Sequence, residues 1–469
     1  MEPSRHYVSP FSSRYGSEEM SSIFSEKFKI LAFRKLWISL AKAQMHLGLP
    51  ITQHQIAQME EHLDDIDTAA ISHYEKKFRH DVMAHIHAFG DLCPDAKPIL
   101  HLGATSCYVT DNADLIQCKT ALHLLTCKLV EVLRLLAHFA EKEATTPCLS
   151  YTHFQSAQPT TMGKRACLWL QDFLWDAQEW ERLYENLPFL GAKGATGTQS
   201  SFLFLFKGNS SKVLQMEKRI AKEFGFSKIL PIAGQTYSRK IDLILLNAFG
   251  SFAATAHKMA TDIRLLAHDG ELLESFKASQ IGSSAMPYKR NPIYSERICG
   301  LARFVMSLTQ NPAYTTATQW LERTLDDSSN RRITVPEAFL GVDAILNLMA
   351  YLIRHLCPVP ETALQNLKKE LPSLVMENIL MKSVQKGGHR QDLHEKLRRF
   401  SKKPLESLLK EIAKDPDFHL SRKEIQPILS ISALVGRAPE QTRLFLKTSV
   451  HPFLKKWKKG AVTLPSIEL

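Results

Sequence analysis

Ile241-Asp-Leu-Ile-Leu-Leu-Asn-Ala-Phe-Gly-Ser-Phe-Ala-Ala-Thr-Ala-His-Lys-Met-Ala-Thr-Asp-Ile-Arg-Leu-Leu-Ala-His268 carries apolar residues on nearly every side of a helical projection, and no proline breaks it. Gly250, Ser251, Ala253, Ala254, Ala256 and Ala260 keep the surface small, which lets neighbouring backbones approach closely. A helix apolar all round has to be buried all round. The expected place for this one is the centre of a helical bundle, one assembled from several subunits. Asp242, Lys258, Asp262 and Arg264 break the apolar run well short of the ~18 uncharged residues of a membrane span.

Moving outward, four more stretches carry apolar residues at helical spacing. The first runs from Asp111, a predicted cap, through Leu115, Leu122, Leu125, Leu129, Val132, Leu133, Leu136 and Phe139; the others span Thr161 to Asn186, Pro292 to Gln310 and Ile333 to His355. Strand-like alternation is scarce, so an all-α fold built on long helices is the prediction. The helical pattern is interrupted at His101 to Ser106 and again at Cys357 to Thr362, where Pro358 and Pro360 stop a helix. Three helical domains follow: 1–106 at the N-terminus, 107–357 as the central bundle, and 358–469 at the C-terminus. The polar stretches Gly191 to Ser201 and Ser279 to Asn291 read as long loops, and long loops in compact proteins hold function or disorder.

With 469 residues, 44% apolar and 23% charged, the chain has the composition of a globular protein large enough for two to four domains. Its eight cysteines (93, 107, 118, 127, 148, 167, 299, 357) are scattered without a C-x-x-C pair, so reduced thiols are expected rather than a disulfide framework or a zinc site. The opening Met-Glu-Pro-Ser-Arg-His lacks the basic and apolar regions of a secretion signal, and the expected compartment is the cytoplasm. Lys and Arg outnumber Asp and Glu 59 to 48, for a net charge of +11, which suits partners carrying phosphates or carboxylates. The dense basic runs, Arg398 to Lys403 and Leu454 to Lys459, read as solvated helix faces. They do not form the stripe expected of a specific nucleic-acid binder.

Gln280-Ile-Gly-Ser-Ser-Ala-Met-Pro-Tyr-Lys-Arg-Asn-Pro292 is the stretch richest in chemistry. Gly282 supplies backbone freedom, two hydroxyls follow, and Lys289 and Arg290 add positive charge. Asn291 is the predicted N-cap of a helix whose first position is Pro292. The partial positive charge of that helix end would then face the loop and favour a carboxylate or an alkoxide. A serine here is either a cap or a proton acceptor. As a base it starts at least ~4 kcal/mol uphill at neutral pH, because its hydroxyl is less acidic than tyrosine's. Nearby cations and exclusion of water are what offset such a deficit.

The pattern G-S-S-x-M-P-x-K-x-N-P, complete from Gly282 to Pro292, resembles the signature of the fumarase/aspartase superfamily. Within it the chain is similar to the adenylosuccinate lyases. That likeness is carried by Ser13-Arg14-Tyr15, Arg79-His80-Asp81, Gly103-Ala-Thr-Ser106, Tyr151-Thr-His-Phe-Gln155, Gly234-Gln-Thr-Tyr237, Glu322-Arg-Thr-Leu-Asp-Asp-Ser328 and Asn330-Arg-Arg332. It is close over all but the C-terminal region. The resemblance implies a homotetramer whose central helical core brings three chains to each of four sites, with no cofactor and no metal. It also implies a C–N lyase of purine nucleotide biosynthesis. Such an enzyme releases fumarate by β-elimination from adenylosuccinate, giving AMP, and from succinyl-aminoimidazole-carboxamide ribotide, giving AICAR.

By the same resemblance Ser283 is the base, with Ser284 in reserve, and His153 is the acid that protonates the departing nitrogen. His153 falls in a polar turn ahead of the helix predicted from Thr161, and an imidazole with an unperturbed pKa of ~6.5 suits proton donation near neutrality. Thr152 orients the acid or the substrate. Arg79, His80 and Asp81 open a helix, with His80 touching substrate. His80, His85 and His87 lack the i, i+4 spacing of a helical zinc pair. Substrates with a phosphate and two carboxylates call for cations, arginines above all. Arg14, Arg297, Arg323 and Arg332 stand at the family's anion-binding positions, and their motifs carry the assignment, since a lone arginine is most often a surface salt bridge. Tyr15, Thr105, Ser106, Gln235 and Ser328 supply polar contacts, while Lys289 and Asn291 hold the succinyl carboxylates and the loop. Ser156 replaces a proline common in such lyases, with no loss of a chemical group.

Argininosuccinate lyase, aspartase and fumarase share the loop, but Arg14-Tyr15 and Gly234-Gln-Thr-Tyr237 favour a nucleotide. A catalytically silent helical scaffold or nucleic-acid binder would have lost the base or the acid, and both are present.

Overall fold

The computed structural model describes residues 7–275, 281–282, 284–401 and 403–457. Five long helices carry the fold: Ser106–Lys142, Met162–Asn186, Lys240–His268, Ile293–Leu308 and Asp327–Arg354. The all-α expectation holds. Among the described residues the regular β structure is two small antiparallel pairs, β1 (Pro147–Thr152) with β2 (Gln155–Thr161), and β3 (Leu272–Glu274) with β4 (Leu356–Pro358). Asp327–Arg354 is long and apolar enough to cross a membrane, yet 83% of its most apolar window is buried inside the protein, as in a core helix.

The chain forms two compact units. The first comprises Met1–Cys127, Asp176–Ala254 and Leu301–Leu346, the second Lys128–Trp175, Thr255–Gly300 and Asn347–Leu469. The division falls inside each of these five helices.

In the first unit, N-terminal helices start at local caps. The Ser25 hydroxyl accepts from Phe28 N at 3.2 Å, and Thr52 and Gln55 form a reciprocal capping box that satisfies two otherwise orphaned amides. The core is aromatic: Trp180 packs on Phe249 and Phe252 with ring centroids 5.5 and 5.0 Å apart, and Phe249 meets Phe339 edge-on at 4.7 Å. In the second unit a separate core of Val375, Ile379, Leu393, Leu408, Ile412 and Phe418 holds the C-terminal helices together. The basic run there is compensated locally, with Arg398 and Arg399 on Glu395 and Lys403 on Glu411.

Two sequence readings change. Asp111 is no cap: the helix begins at Ser106, and Asp111 is buried within it, its charge met by Arg239 at 2.9 Å. A tertiary partner removed the need for the local role. The helix Lys240–His268 is not covered on every side within one chain either. Ile244, Asn247, Ser251, Ala254, Lys258, Leu265 and His268 are exposed, at spacings of three, four and seven that line up as a stripe along the helix.

Candidate active site

His153 and Phe154 form the two-residue connection of the β1–β2 hairpin, between the paired residues Thr152 and Gln155. Both have positive φ, 52° and 57°, as a type I′ turn requires. Residues with a Cβ adopt that conformation at a cost of roughly 1–2 kcal/mol each, so the rest of the hairpin has to impose it. Cys148 packs with Met162 and Ala363, and Leu149 with Leu367 and Leu374, seating the root of β1 on the helix Pro360–Leu374. Arg165 donates from Nη2 to the Leu149 carbonyl at 2.6 Å, and Gln158 donates to the Glu377 carboxylate. Burial and a hydrogen bond to Asp269 push the Tyr151 phenol well above its ordinary range, so it stays protonated and donates. His153 is exposed at the tip, without a hydrogen-bond or ion-pair partner among the described residues. A cavity of about 330 Å³ beside the hairpin is lined by Tyr151, Phe154, Lys164, Arg165, Lys258 and Asp269 among others. Tyr151 and Phe154 belong to the quoted Tyr151 to Gln155 motif, but none of the predicted site residues lines the cavity.

Ser283 lies outside the described residues. Ser284 and Lys289 are exposed. The predicted cap at Asn291 is replaced. The helix starts at Ile293, and its first amides go to Glu274, whose carboxylate accepts from Tyr294 N at 3.0 Å, Ser295 N at 2.9 Å and the Ser295 hydroxyl at 2.6 Å. Asn291 instead donates from Nδ2 to the Gly282 carbonyl at 3.0 Å. A carboxylate from β3 won the helix end because it brings a full charge and two acceptor oxygens where asparagine offers one neutral carbonyl. Burial still holds the Glu274 carboxyl above its ordinary value. One turn into this helix, Arg297 buries Nη1 with no hydrogen-bond partner among the described residues.

The remaining sequence-predicted residues belong to the first unit, where they fall into three groups. Arg14 and Tyr15 share a π-helical turn, Phe11–Tyr15, with the Arg14 guanidinium 5.8 Å from the Tyr15 ring centre. Arg79 closes the helix Thr68–Phe78 in the left-handed conformation (φ 53°), and His80 caps the next helix by accepting from Met83 N at 3.3 Å. Arg332 reaches Asp81 at 3.4 Å. Gln235 anchors the third group. Its Oε1 accepts from Arg323 and from the Cys107 thiol, the latter at 3.5 Å, and its Nε2 donates to the Ala195 carbonyl at 3.1 Å. Thr105 and Ser106 directly precede Cys107, while Ser328 follows Asp327 at the start of its helix. Gly197 (φ 85°) lets the 191–199 loop pass this segment, since a Cβ there would overlap the Ala233 carbonyl.

Beneath the third group lies a buried ionic network. Arg239 bonds Asp111 at 2.9 Å and Asp327 at 2.6 Å. Arg331 bonds Asp242 at 2.6 Å and Asp114 at 3.1 Å. Tyr237 donates to Asp242 at 2.7 Å and accepts from Arg331. The network ties the start of Ser106–Lys142, the 234–239 segment and the start of Asp327–Arg354 into one rigid floor. Each buried charge is paired, as burial demands.

Sequence reasoning missed two members of this region. His101 is mostly buried, has φ 65° and accepts through Nδ1 from the Trp37 indole at 2.9 Å. An indole N–H only donates, so the imidazole hydrogen sits on Nε2. Burial, aided by nearby His80, pulls its pKa down to about 4. Burial likewise pushes the Cys107 thiol up to about 12, keeping it a neutral donor to Gln235. Both flank the quoted Gly103 to Ser106 motif, and a histidine two residues before a glycine turn was the available signal.

Residues 13–307 match the family described as Lyase, and residues 372–445 the family described as Adenylosuccinate lyase C-terminus. The chain is 46% identical to the adenylosuccinate lyase of Saccharomyces cerevisiae, over 97% of each chain. It is 45% identical to those of Schistosoma mansoni, over 98% of each, and Schizosaccharomyces pombe, over 100% of each. Among solved structures, the 3-carboxy-cis,cis-muconate lactonizing enzyme from Pseudomonas putida matches with a TM-score of 0.83 at 22% identity, covering 95% of this chain and 99% of that one. A fumarate lyase from a Mesorhizobium species matches at 0.81 and 21%, covering 94% and 100%. At those identities the likeness speaks for the fold alone.

Proposed function

The chain belongs to the adenylosuccinate lyase family, and from that premise we propose that it cleaves adenylosuccinate to AMP and fumarate, and succinyl-aminoimidazole-carboxamide ribotide to AICAR and fumarate. Ser283 takes the proton from the carbon beside a succinyl carboxylate. The resulting carbanion is held as an aci-carboxylate by Lys289, Asn291 and Arg297, and His153 protonates the departing nitrogen. Arg14, Tyr15, Arg79, His80, Asp81, Thr105, Ser106, Thr152, Gln235, Arg323, Ser328 and Arg332 bind the nucleotide and the second carboxylate. The chemistry needs neither metal nor cofactor, because the acid, the base and the charge acceptors are all side chains.

The observation that carries this reading is His153 itself. An exposed imidazole, without a partner among the described residues, stands on a backbone conformation that residues with a Cβ avoid, and strain of that kind clusters where function demands it. Arg297 adds support, since a buried guanidinium nitrogen with no partner among the described residues calls for an anion.

The enzyme works as a homotetramer in the cytoplasm, with three chains contributing to each site and residues 107–357 forming the catalytic region. The exposed stripe on Lys240–His268, together with exposed Leu168, Trp175 and Ile333, supports burial against other copies. Purified protein mixed with adenylosuccinate is expected to release fumarate and AMP in equal amounts and to sediment as four chains. Absence of turnover would refute the activity, and a monomer at micromolar concentration the assembly.

A further inference from the structure

We propose that Glu274 is a positioning residue for the elimination, holding the first turn of Ile293–Leu308, and through it Asn291 and the Gly282 carbonyl, where the loop's groups act. The proposal rests on reading the Gly282 to Pro292 segment as the base-bearing loop.

The carboxylate is fixed from its own side. Glu274 pairs with Leu356 across the β3–β4 ladder, and the next residue, Ser275, donates its amide to the His355 carbonyl at 3.0 Å. From that footing Glu274 takes three donors: the backbone N–H groups of Tyr294 and Ser295 and the Ser295 hydroxyl. Tyr294 and Ser295 are buried, so these donors have no water to turn to. Ile293 N in turn donates to the Asn291 carbonyl at 2.9 Å, and Asn291 ties back to Gly282, the residue just before the two hydroxyls. One carboxylate thus staples both ends of the loop to a strand pair.

The charge matters as well as the geometry. Ionised Glu274 cancels the partial positive charge of the helix end, so that end is no longer a site for a substrate carboxylate. Anion recognition then passes to side chains, and Arg297 stands one turn further on with Nη1 unpartnered among the described residues. Its position depends on the turn that Glu274 holds.

A cap with a purely structural role predicts a lower melting temperature but normal turnover per folded molecule. A positioning role predicts loss of kcat in a folded enzyme, because small misplacements of reacting groups are costly. Full-length Glu274→Ala, Glu274→Gln and Ser295→Ala are compared for kcat and KM with adenylosuccinate, for melting temperature, and for recovery of activity by added formate. We expect kcat of Glu274→Ala to fall at least about tenfold with KM little changed, and formate to restore part of it in this variant only. Glu274→Gln, which keeps one acceptor, should lose less, and Ser295→Ala, which keeps both amide bonds, least. Normal kcat in folded Glu274→Ala, or a loss that formate does not relieve, would overturn the proposal. Should the alanine variant not fold, Glu274→Gln decides in the same way, by reduced or normal kcat. Failure of the unsubstituted chain to release fumarate would instead remove the functional reading on which the proposal stands.

Discussion

The proposed contacts in the first unit and the proposed acid in the second are held by opposite means. Gln235, Arg323 and Ser328 stand over largely buried ion pairs, Arg239 with Asp111 and Asp327, and Arg331 with Asp114 and Asp242. His153 stands on a hairpin tip whose root is packed while the tip meets solvent. A recognition surface gains from a floor that does not yield. A proton donor needs access to its leaving group, so it is mounted on a short turn, and strain in the turn replaces burial as the source of definition. Substitutions in the first unit's network should therefore appear as stability, and those at the hairpin tip as chemistry.

His153→Gly is the sharpest way to break that contrast. Glycine adopts positive φ freely, so the melting temperature should hold or rise slightly. Removing a general acid should cost fumarate release on the order of 10²- to 10⁴-fold. Retained turnover, or a large loss of stability, would count against the picture.

Arg239→Met should do the reverse. It strands Asp111 and Asp327 in a buried setting, and breaking such a pair destabilises by roughly 3–5 kcal/mol. Urea unfolding measures this directly, and a change below about 1 kcal/mol would mean that the network is not the floor described here.

His101 links stability to pH. Its pKa in the fold is about 4, below the ordinary value near 6.5, so folding favours the neutral ring. The associated stability, on the order of 3 kcal/mol, is fully present above pH ~6.5 and is lost as pH falls towards 4. His101→Asn, whose side chain tolerates left-handed backbone, should flatten the stability profile across that window. An unchanged acid limb would show that other groups govern it.

The smallest structural effect belongs to Arg332→Gln. The side chain is 64% exposed and 3.4 Å from Asp81, and exposed pairs contribute about 0–1 kcal/mol, so stability should barely move. If Arg332 binds substrate, KM for adenylosuccinate should rise roughly tenfold, in keeping with ~1.5–3 kcal/mol for a hydrogen bond to a charged group. An unchanged KM would remove Arg332 from the site.

From sequence alone the long helices were readable, because a period of 3.6 residues repeated over several turns survives any context. The helix expected from Ile241 to His268 is observed as Lys240–His268, and that expected from Thr161 to Asn186 as Met162–Asn186. The lyase chemistry was legible too, since the Gly282 to Pro292 run and the motifs around it are specific in residue type and order. Tertiary structure alone decided which of two adjacent arginines, 331 and 332, is buried in the network and which reaches solvent. It also turned Asp111 from a cap into an ion-pair partner, folded the Tyr151 to Gln155 segment into a hairpin tip, and brought Glu274 to the helix end that Asn291 was expected to close. For the arginines, Asp111 and the helix end the deciding partner lies outside the local sequence pattern, whereas the hairpin pairs Thr152 with Gln155 locally. Local pattern records what a residue offers, whereas a buried charge or an open helix end is settled by whichever group the fold delivers to it.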